Sequence, residues 1–324
     1  MALTYKTSGV DIKKADRFIK SIKTLGGVNI GGFSGLFKLN LKRYKEPMLA
    51  ASCDGVGTKL KIAFWLNEHR TVGIDLVAMN VNDLVTCGAE PIFFLDYIST
   101  TSFNLRDMQE VIRGIILGCR EAGCILLGGE TAQMPQFYKK DEYDLAGFAL
   151  GVVDKKDIID GSRVNEGDLI IGLTSNGLHS NGYSLVRRVF SRNYIKRNQN
   201  LFYKPTRIYV KPILKLNSRI KIKGIAHITG GGFYDNIIRI LPKGISVYID
   251  KNSWPKQKVF KLIQEKGKIS DKEMYRTFNM GIGMIVIIDK KDVEKTKDIL
   301  SLFKIKSYII GNCLKEKKSR IVIK

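Results

Sequence analysis

The stretch Val72 to Val85 limits the fold more than any other. Read at helical period, it is apolar on nearly every side, through Ile74, Leu76, Val77, Ala78, Met79, Val81, Leu84 and Val85. Such a helix has no face for water and must be covered by other elements. Gly88 and Pro91 follow as stop signals. Yet the stretch carries Asp75, Asn82 and Asp83, which share one face at spacings of seven and eight. Buried carboxylates are costly unless they are paired or hold a metal. For Asp83 the expectation is contact with metal or polyphosphate. For Asp75 that role and a helix N-terminal cap are both open.

Short apolar runs around this helix read as strands. Met48 to Ala51 leads into Ser52-Cys53-Asp54-Gly55-Val56-Gly57-Thr58-Lys59. That octapeptide puts a carboxylate, two glycines, a hydroxyl and an ammonium within six residues, a compact kit for polyphosphate and metal. The glycines permit close backbone approach, Asp54 is a hard oxygen ligand suited to Mg²⁺, and Lys59 can neutralise phosphate. The spacing is not that of a P-loop. Pro91 to Tyr97 closes on Asp96, and Cys124 to Leu127 breaks into Gly128-Gly129-Glu130-Thr131. Asp54, Asp96 and Glu130 are therefore each expected to end an apolar strand. If the strands point the same way, carboxylates so placed face the ligand crevice of an open α/β sheet. Between these runs, Asn104 and Asp107 predict a capped helix start, with the helix running to Gly123. Tyr143 to Val153 is one more strand, and the polar stretch Asp154 to Gly161 is the expected domain boundary.

Before these elements, Asp11 to Lys23 reads as a helix with Val10, Ile12, Ala15, Phe18, Ile19 and Ile22 on its apolar side. A glycine-dense stretch around Phe33, with Gly26, Gly27, Gly31, Gly32 and Gly35, reads equally as linker or lid. Lys23 beside it reads as solvated rather than as a phosphate contact.

The second half begins with a strand, Asp168 to Thr174, and a polar loop from Ser175 to Tyr183 ahead of a helix at Ser184 to Ser191. Backbone amides there could bind an anion. His227-Ile228-Thr229 runs into Gly230-Gly231-Gly232 before another helix, again suited to a phosphate. Two of only three histidines, His179 and His227, sit beside these loops. Further strands are expected at Ile245 to Ile249 and Met284 to Ile288, a helix at Trp254 to Glu265, and a helix, strand and edge strand after Val293.

Charge bears on partners. The net charge is +23; residues 1–150 hold 18 Lys+Arg against 16 Asp+Glu, leaving 36 against 15 for residues 151–324. The excess is scattered, without the interleaved aromatics of a single-strand binder. A solvated basic surface is therefore expected rather than nucleic-acid binding. Five cysteines without a framework fit reduced thiols. Without a signal peptide or a run long enough to span a bilayer, the expected setting is cytoplasmic.

Taken together, these residues resemble the phosphoribosylformylglycinamidine cyclo-ligase (aminoimidazole ribonucleotide synthetase) family. The resemblance is carried by Tyr5-Lys6, Gly9-Val10-Asp11, Ser52 to Lys59, Gly73 to Thr86, Gly88 to Pro91, Leu95 to Tyr97, Gly128 to Pro135 and Tyr143 to Phe148. In the second half it rests on His179 to Val186, Pro205 to Val210, His227 to Phe233 and Met274 to Met284. It implies two α/β domains, sharing their fold with selenophosphate synthetase, thiamine-monophosphate kinase and a hydrogenase maturation factor. Residues 1–157 would bind ATP and pair in a homodimer through strands, and residues 158–324 would bind substrate.

The implied reaction uses ATP and formylglycinamidine ribonucleotide to give aminoimidazole ribonucleotide, ADP and phosphate. The candidates for ATP contact are Gly55, Gly57, Thr58, Lys59, Asn82, Asp83, Gly128, Gly129, Glu130 and Thr131. Asp54, Asp83 and Glu130 would hold Mg²⁺, and a K⁺ requirement is left open. Asn176, His179, Ser180, Asn181, Thr229, Gly230, Gly231 and Gly232 would hold the ribonucleotide. Asp54, Lys59 and either His179 or His227 are the catalytic candidates. Two departures stand out: Leu178 replaces a proline common in the family, and Asn198 to Lys204 is short. A selenophosphate synthetase should carry a reactive Cys or selenocysteine near its N-terminus, but the first cysteine here is Cys53. A hydrogenase maturation factor should end in cysteine, and a monophosphate kinase should not match the second half. A non-catalytic RNA-binding protein would use the basic second half.

Overall fold

The computed structural model describes residues 3–26, 34–102 and 104–324. Four strands make the first sheet: β1 (Pro47–Gly55), β2 (Glu90–Thr100), β3 (Ile125–Gln133) and β4 (Tyr143–Asp154), in the order β1-β4-β2-β3. β4 runs against both its neighbours, and β3 runs parallel to β2. β1, β2 and β3 thus share one direction, as the strand-end argument required. β2 and β3, however, continue past Asp96 and Glu130 to Thr100 and Gln133, so only Asp54 stands at a strand end.

Helices α1 (Ile12–Gly26), α2 (Leu60–Leu66), α3 (Arg70–Thr86) and α4 (Leu105–Ala122) belong to this first unit. α3 is the all-round apolar helix, and the structure covers it on three sides. It packs on β1, β2 and β4, beside α4, and against elements of the second sheet's unit. Glycine makes the α3–α4 approach possible. A Cβ on Gly114 would lie 2.0 Å from the Arg70 carbonyl oxygen, and one on Gly73 2.1 Å from that of Val111. Asn104 caps α4 by accepting from the Asp107 N–H at 3.4 Å, and Gly123 closes it in the left-handed region. On α1, Phe18 and Ile22 are buried, but Ile12 and Ile19 are 56% and 43% exposed. The glycine-dense stretch falls largely on residues 27–33, outside the described residues, as does the Lys23 side chain.

All four helices leave one sheet face open. Leu49, Phe148 and Ile125 lie on it at 63%, 42% and 48% exposure, with Cys53 paired to Phe148 in register.

The second sheet has six strands: β5 (Leu169–Thr174), β6 (Gly224–His227), β7 (Ile245–Ile249), β8 (Ile282–Ile288), β9 (Ser307–Lys315) and β10 (Ile321–Ile323). Their order is β10-β7-β9-β5-β8-β6. Every residue of β8 is buried, which explains its unbroken apolar run. Around it lie α5 (Tyr183–Val189), α6 (Arg192–Arg197), α7 (Gln199–Phe202), α8 (Val210–Asn217), α9 (Gly232–Ile237), α10 (Lys258–Gly267), α11 (Asp271–Thr277) and α12 (Val293–Leu302). One apolar cluster runs through both units, joining Val77 and Val81 of α3 to Ile213 and Leu216 of α8 and Val286 of β8.

Candidate active site and the seam between domains

β1 delivers Asp54 to the mouth of the seam between the two units. The Asp54 carbonyl accepts from Asn80 Nδ2 at 3.3 Å, and its carboxylate accepts from the Gly55 N–H at 2.7 Å. Burial pushes the Asp54 carboxyl above its ordinary range, the nearby Asp83 adds to that rise, and His227 opposes it. Asp83 is the one exposed member of α3's polar face, and His227 Nδ1 donates to it at 2.8 Å. Asp54, Asp83 and His227 thus converge, although they come from β1, α3 and the end of β6. Gly57 turns through φ +68° with nothing near its Cβ position, and Gly57 and Thr58 are exposed at the same mouth.

Several expected ligands are elsewhere. Glu130 does not join Asp54. In register, Asp54 aligns with Gly147, Asp96 and Gly129, so Glu130 is three strands away, about 14 Å, and its side chain points to the opposite sheet face. Among the described residues no group of three His, Cys, Asp or Glu side chains could hold a metal. Nor is Lys59 free for phosphate. It is fully buried, with Nζ 2.7 Å from Asp75 Oδ2 and donating to the Lys204 carbonyl at 2.6 Å. Burial lowers its pKa while Asp75 opposes the change. Asp75 is accordingly neither a cap nor a metal ligand.

Asn82 is also turned inward. Its amide donates to the Arg207 carbonyl at 2.8 Å, and its oxygen accepts from the Tyr209 N–H at 2.8 Å. These bonds belong to a clasp that sequence reasoning missed, the segment 203–209. Asp75 Oδ1 accepts from both the N–H and the hydroxyl of Thr206 at 2.7 Å, and Tyr203 donates to the Glu68 carbonyl at 2.7 Å. On the other side Ser180 meets the Thr206 hydroxyl at 3.0 Å, and Asn176 Nδ2 donates to the Pro205 carbonyl at 3.2 Å. Asn176 and Ser180 therefore hold the clasp from the second unit. The signal was present only as the Pro-Thr-Arg stretch of the resemblance, because its partners in the first unit lie more than a hundred residues away.

His179 is enclosed by the fold. It is buried in the left-handed region, at φ +61°. Its Nε2 accepts from the Asn176 and Arg207 N–H groups at 3.2 and 3.4 Å. Burial drives its pKa far below the ordinary histidine range, with the charges of His227, Lys59 and Arg207 adding to it. A side chain at Gly283 would strike both His179 and Tyr209. The imidazole is wedged, and its Nδ1 is buried without a hydrogen-bond partner among the described residues.

The loop around Asn181 and the triple glycine do meet. A Cβ on Gly230 would lie 3.4 Å from Asn181 Oδ1, and Asn181 Nδ2 is buried with no partner among the described residues. Gly231 and Gly232 both have positive φ, while Gly230 is exposed and Thr229 half-buried. In β3, a Cβ on Gly128 would meet only Leu95, at an ordinary 3.8 Å, but Gly129 is required by another group. A Cβ there would lie 2.3 Å from Asp96 Oδ1. Burial raises the Asp96 pKa to about 7, and Glu130 adds to the rise. Thr131 follows on the same strand, half-buried.

Comparison with known proteins accords with this architecture. Residues 39–153 match the family described as AIR synthase related protein, N-terminal domain, and residues 165–324 match its C-terminal domain. A phosphoribosylformylglycinamidine cyclo-ligase from Thermodesulfovibrio yellowstonii is 51% identical, with both chains covered completely. One from Thermoanaerobacter sp. is 52% identical over 95% of this chain and 97% of its own. Among solved structures, thiamine-monophosphate kinase from Stenotrophomonas maltophilia aligns with a TM-score of 0.71 at 14% identity, covering 94% of this chain and 95% of its own. The hydrogenase maturation protein HypE in complex with ATP aligns with a TM-score of 0.70 at 14% identity, covering 95% and 91%. The structural likenesses show the fold, and the close relatives show the lineage: this chain belongs to the phosphoribosylformylglycinamidine cyclo-ligase family.

Proposed function

We infer that the chain is an ATP-dependent cyclo-ligase of purine biosynthesis, converting formylglycinamidine ribonucleotide to aminoimidazole ribonucleotide with release of ADP and phosphate. The observation that carries this reading is full-length identity of about half to relatives of that name, on a fold whose mouth gathers Asp54, Asp83 and His227.

An amide oxygen is both a poor nucleophile and a poor leaving group. The reaction overcomes this by transferring the γ-phosphoryl group of ATP to that oxygen, forming one P–O bond as another breaks. The amidine nitrogen then attacks the activated carbon, forming a C–N bond as the C–O bond breaks and phosphate leaves. Positioning and charge neutralisation lower both barriers. Asp54 and Asp83 fit a hard divalent cation: burial chiefly, and the Asp83 charge to a lesser degree, disfavour the ionised Asp54 carboxylate, and a bound cation would offset both. Mg²⁺ held there would supply charge neutralisation on the phosphates. Of the two candidate histidines, His227, fixed by Asp83 beside Asp54, is the better placed for the proton lost on ring closure. Exposed Gly57 and Thr58 are the ATP contacts left in the octapeptide. The Asn181 and Thr229–Gly232 loops are the site for the ribonucleotide, supported by the unpartnered Asn181 amide.

Residues 1–157 form the ATP-binding and pairing domain in this reading, and residues 158–324 the substrate domain. The open apolar face with Leu49, Phe148 and Ile125 supports a homodimer through that sheet, which would bring Glu130 to the interface. Among the described residues no helix is long and apolar enough to cross a membrane, and the five cysteines are free, which supports a cytoplasmic setting. The test is ADP release with Mg²⁺-ATP, with and without formylglycinamidine ribonucleotide, alongside colorimetric detection of the product amine. Substrate-dependent ADP matched one to one by product is the expected result; ADP without product would make the chain a kinase.

A further inference from the structure

A second cleft opens at the other end of the first sheet, where β4 ends and β2 begins, away from Asp54. Its volume is about 810 Å³, within the range of small-ligand sites, and both domains wall it. Arg43, Lys45, Lys156 and Arg163 line it from the first domain and the linker, and Arg219 and Lys221 from the loop after α8. Three acids share the lining: Glu90, Asp154 and Asp157. Six cations against three acids leave a net charge of +3.

The acids are already engaged to a greater degree than the cations. Glu90 accepts from Arg43 at 2.9 Å, and Asp154 accepts from the Lys45 N–H at 2.8 Å. That backbone bond, with the Lys156 charge adding to it, holds the Asp154 carboxyl below its ordinary range. Lys45, Lys156, Arg163, Arg219 and Lys221 form no ion pair among the described residues. The carbonyl end of α8, at Asn217 and Ser218, faces the same cleft and offsets part of the positive charge. Protein walls focus what remains. Tyr44, Leu214 and Ile220 add apolar surface beside the cations.

We propose that this interdomain cleft binds a small molecule bearing two or more phosphate groups, at a site separate from the catalytic mouth. The cleft's scale suits a nucleotide-sized anion, and charge from both domains would let one ligand bridge them. This goes beyond the cyclo-ligase reading and does not depend on it, because the test reads binding and not turnover.

The experiment is calorimetric titration of the full-length protein at 0.1 M salt with inorganic tripolyphosphate and, separately, with ADP. The same titrations are made on Lys156→Glu, Lys221→Glu and Asp54→Asn. A binding event that weakens about tenfold with each lysine reversal and persists in Asp54→Asn is the expected result. Tighter ADP binding than tripolyphosphate in that event would identify a nucleotide, and the reverse would identify phosphate groups alone; either supports the cleft. Binding unaffected by both reversals, lost in Asp54→Asn, or absent overturns the proposal. So does a parallel titration in which a 20-nucleotide RNA binds while tripolyphosphate and ADP do not, which would make the surface a nucleic-acid contact. Lys156 and Lys221 are exposed, and the neutral variants Lys156→Gln and Lys221→Gln repeat the test should either reversal misfold.

Discussion

At the scale of single residues, the buried ion pair and the buried acid make opposite predictions. Lys59 and Asp75 are both fully buried, 2.7 Å apart. Removing one partner strands the other charge, so Lys59→Met should cost about 3–5 kcal/mol, read from urea denaturation midpoints. Converting Asp75 to Asn as well should recover part of that loss, because the stranded charge is gone. Asp96 behaves differently, since its pKa in the fold is about 7, above an ordinary aspartate. The folded state then binds more protons than the unfolded state between roughly pH 4 and pH 7. Its contribution is present at low pH and declines as pH rises through that window, at no more than about 1.4 kcal/mol per pH unit. Asp96→Asn removes this dependence, so its stability relative to the parent should improve from pH 5 to about pH 7 and level off above it. A constant difference across that range would contradict the assignment. Asp96 was visible in the sequence as a carboxylate at the close of an apolar run; its protonation was not, because it depends on burial against β3.

At the scale of elements, α3 was the best-read part of the chain. Its apolar surround correctly implied cover on several sides, and its polar residues do share a face. What those residues touch was hidden. Thr206 lies 131 positions from Asp75, and no local pattern links them. The octapeptide misled for a related reason. A lysine after Gly-Thr has the composition of a phosphate ligand, but its direction is set by α2 and by the clasp, and both turn it inward. Thr206→Val keeps the shape while removing the hydroxyl that Asp75 and Ser180 share, and should cost about 1–3 kcal/mol. The α3–α4 contact gives a second prediction at this scale. Gly114→Ala sets a methyl 2.0 Å from the Arg70 carbonyl and should lower the urea midpoint by the equivalent of about 1–3 kcal/mol as the helices separate.

At the scale of the whole molecule, the open sheet face and the charge distribution govern association. Phe148→Glu places a charge in the middle of the apolar face. If that face pairs two copies, the variant should sediment as a monomer at concentrations where the parent is a dimer; an unchanged dimer would move the interface elsewhere. The two-domain α/β architecture was legible from the alternation of strand-like and helix-like runs, with strand positions mostly right and several short helices of the second domain unread. Those helices, such as α6 and α7, span six and four residues, too few for periodicity to declare itself.

The shared apolar cluster and the 203–209 clasp have a consequence for descent. Each half of the chain completes its own interior with side chains from the other, so neither half can be exchanged for a distant cousin's without leaving gaps and stranded charges along the join. A recombined gene joined near residue 157 would encode two well-formed sheets that do not fit each other. Lineages of this protein should therefore pass on both halves as one heritable unit, with changes in α3 answered by changes in the clasp.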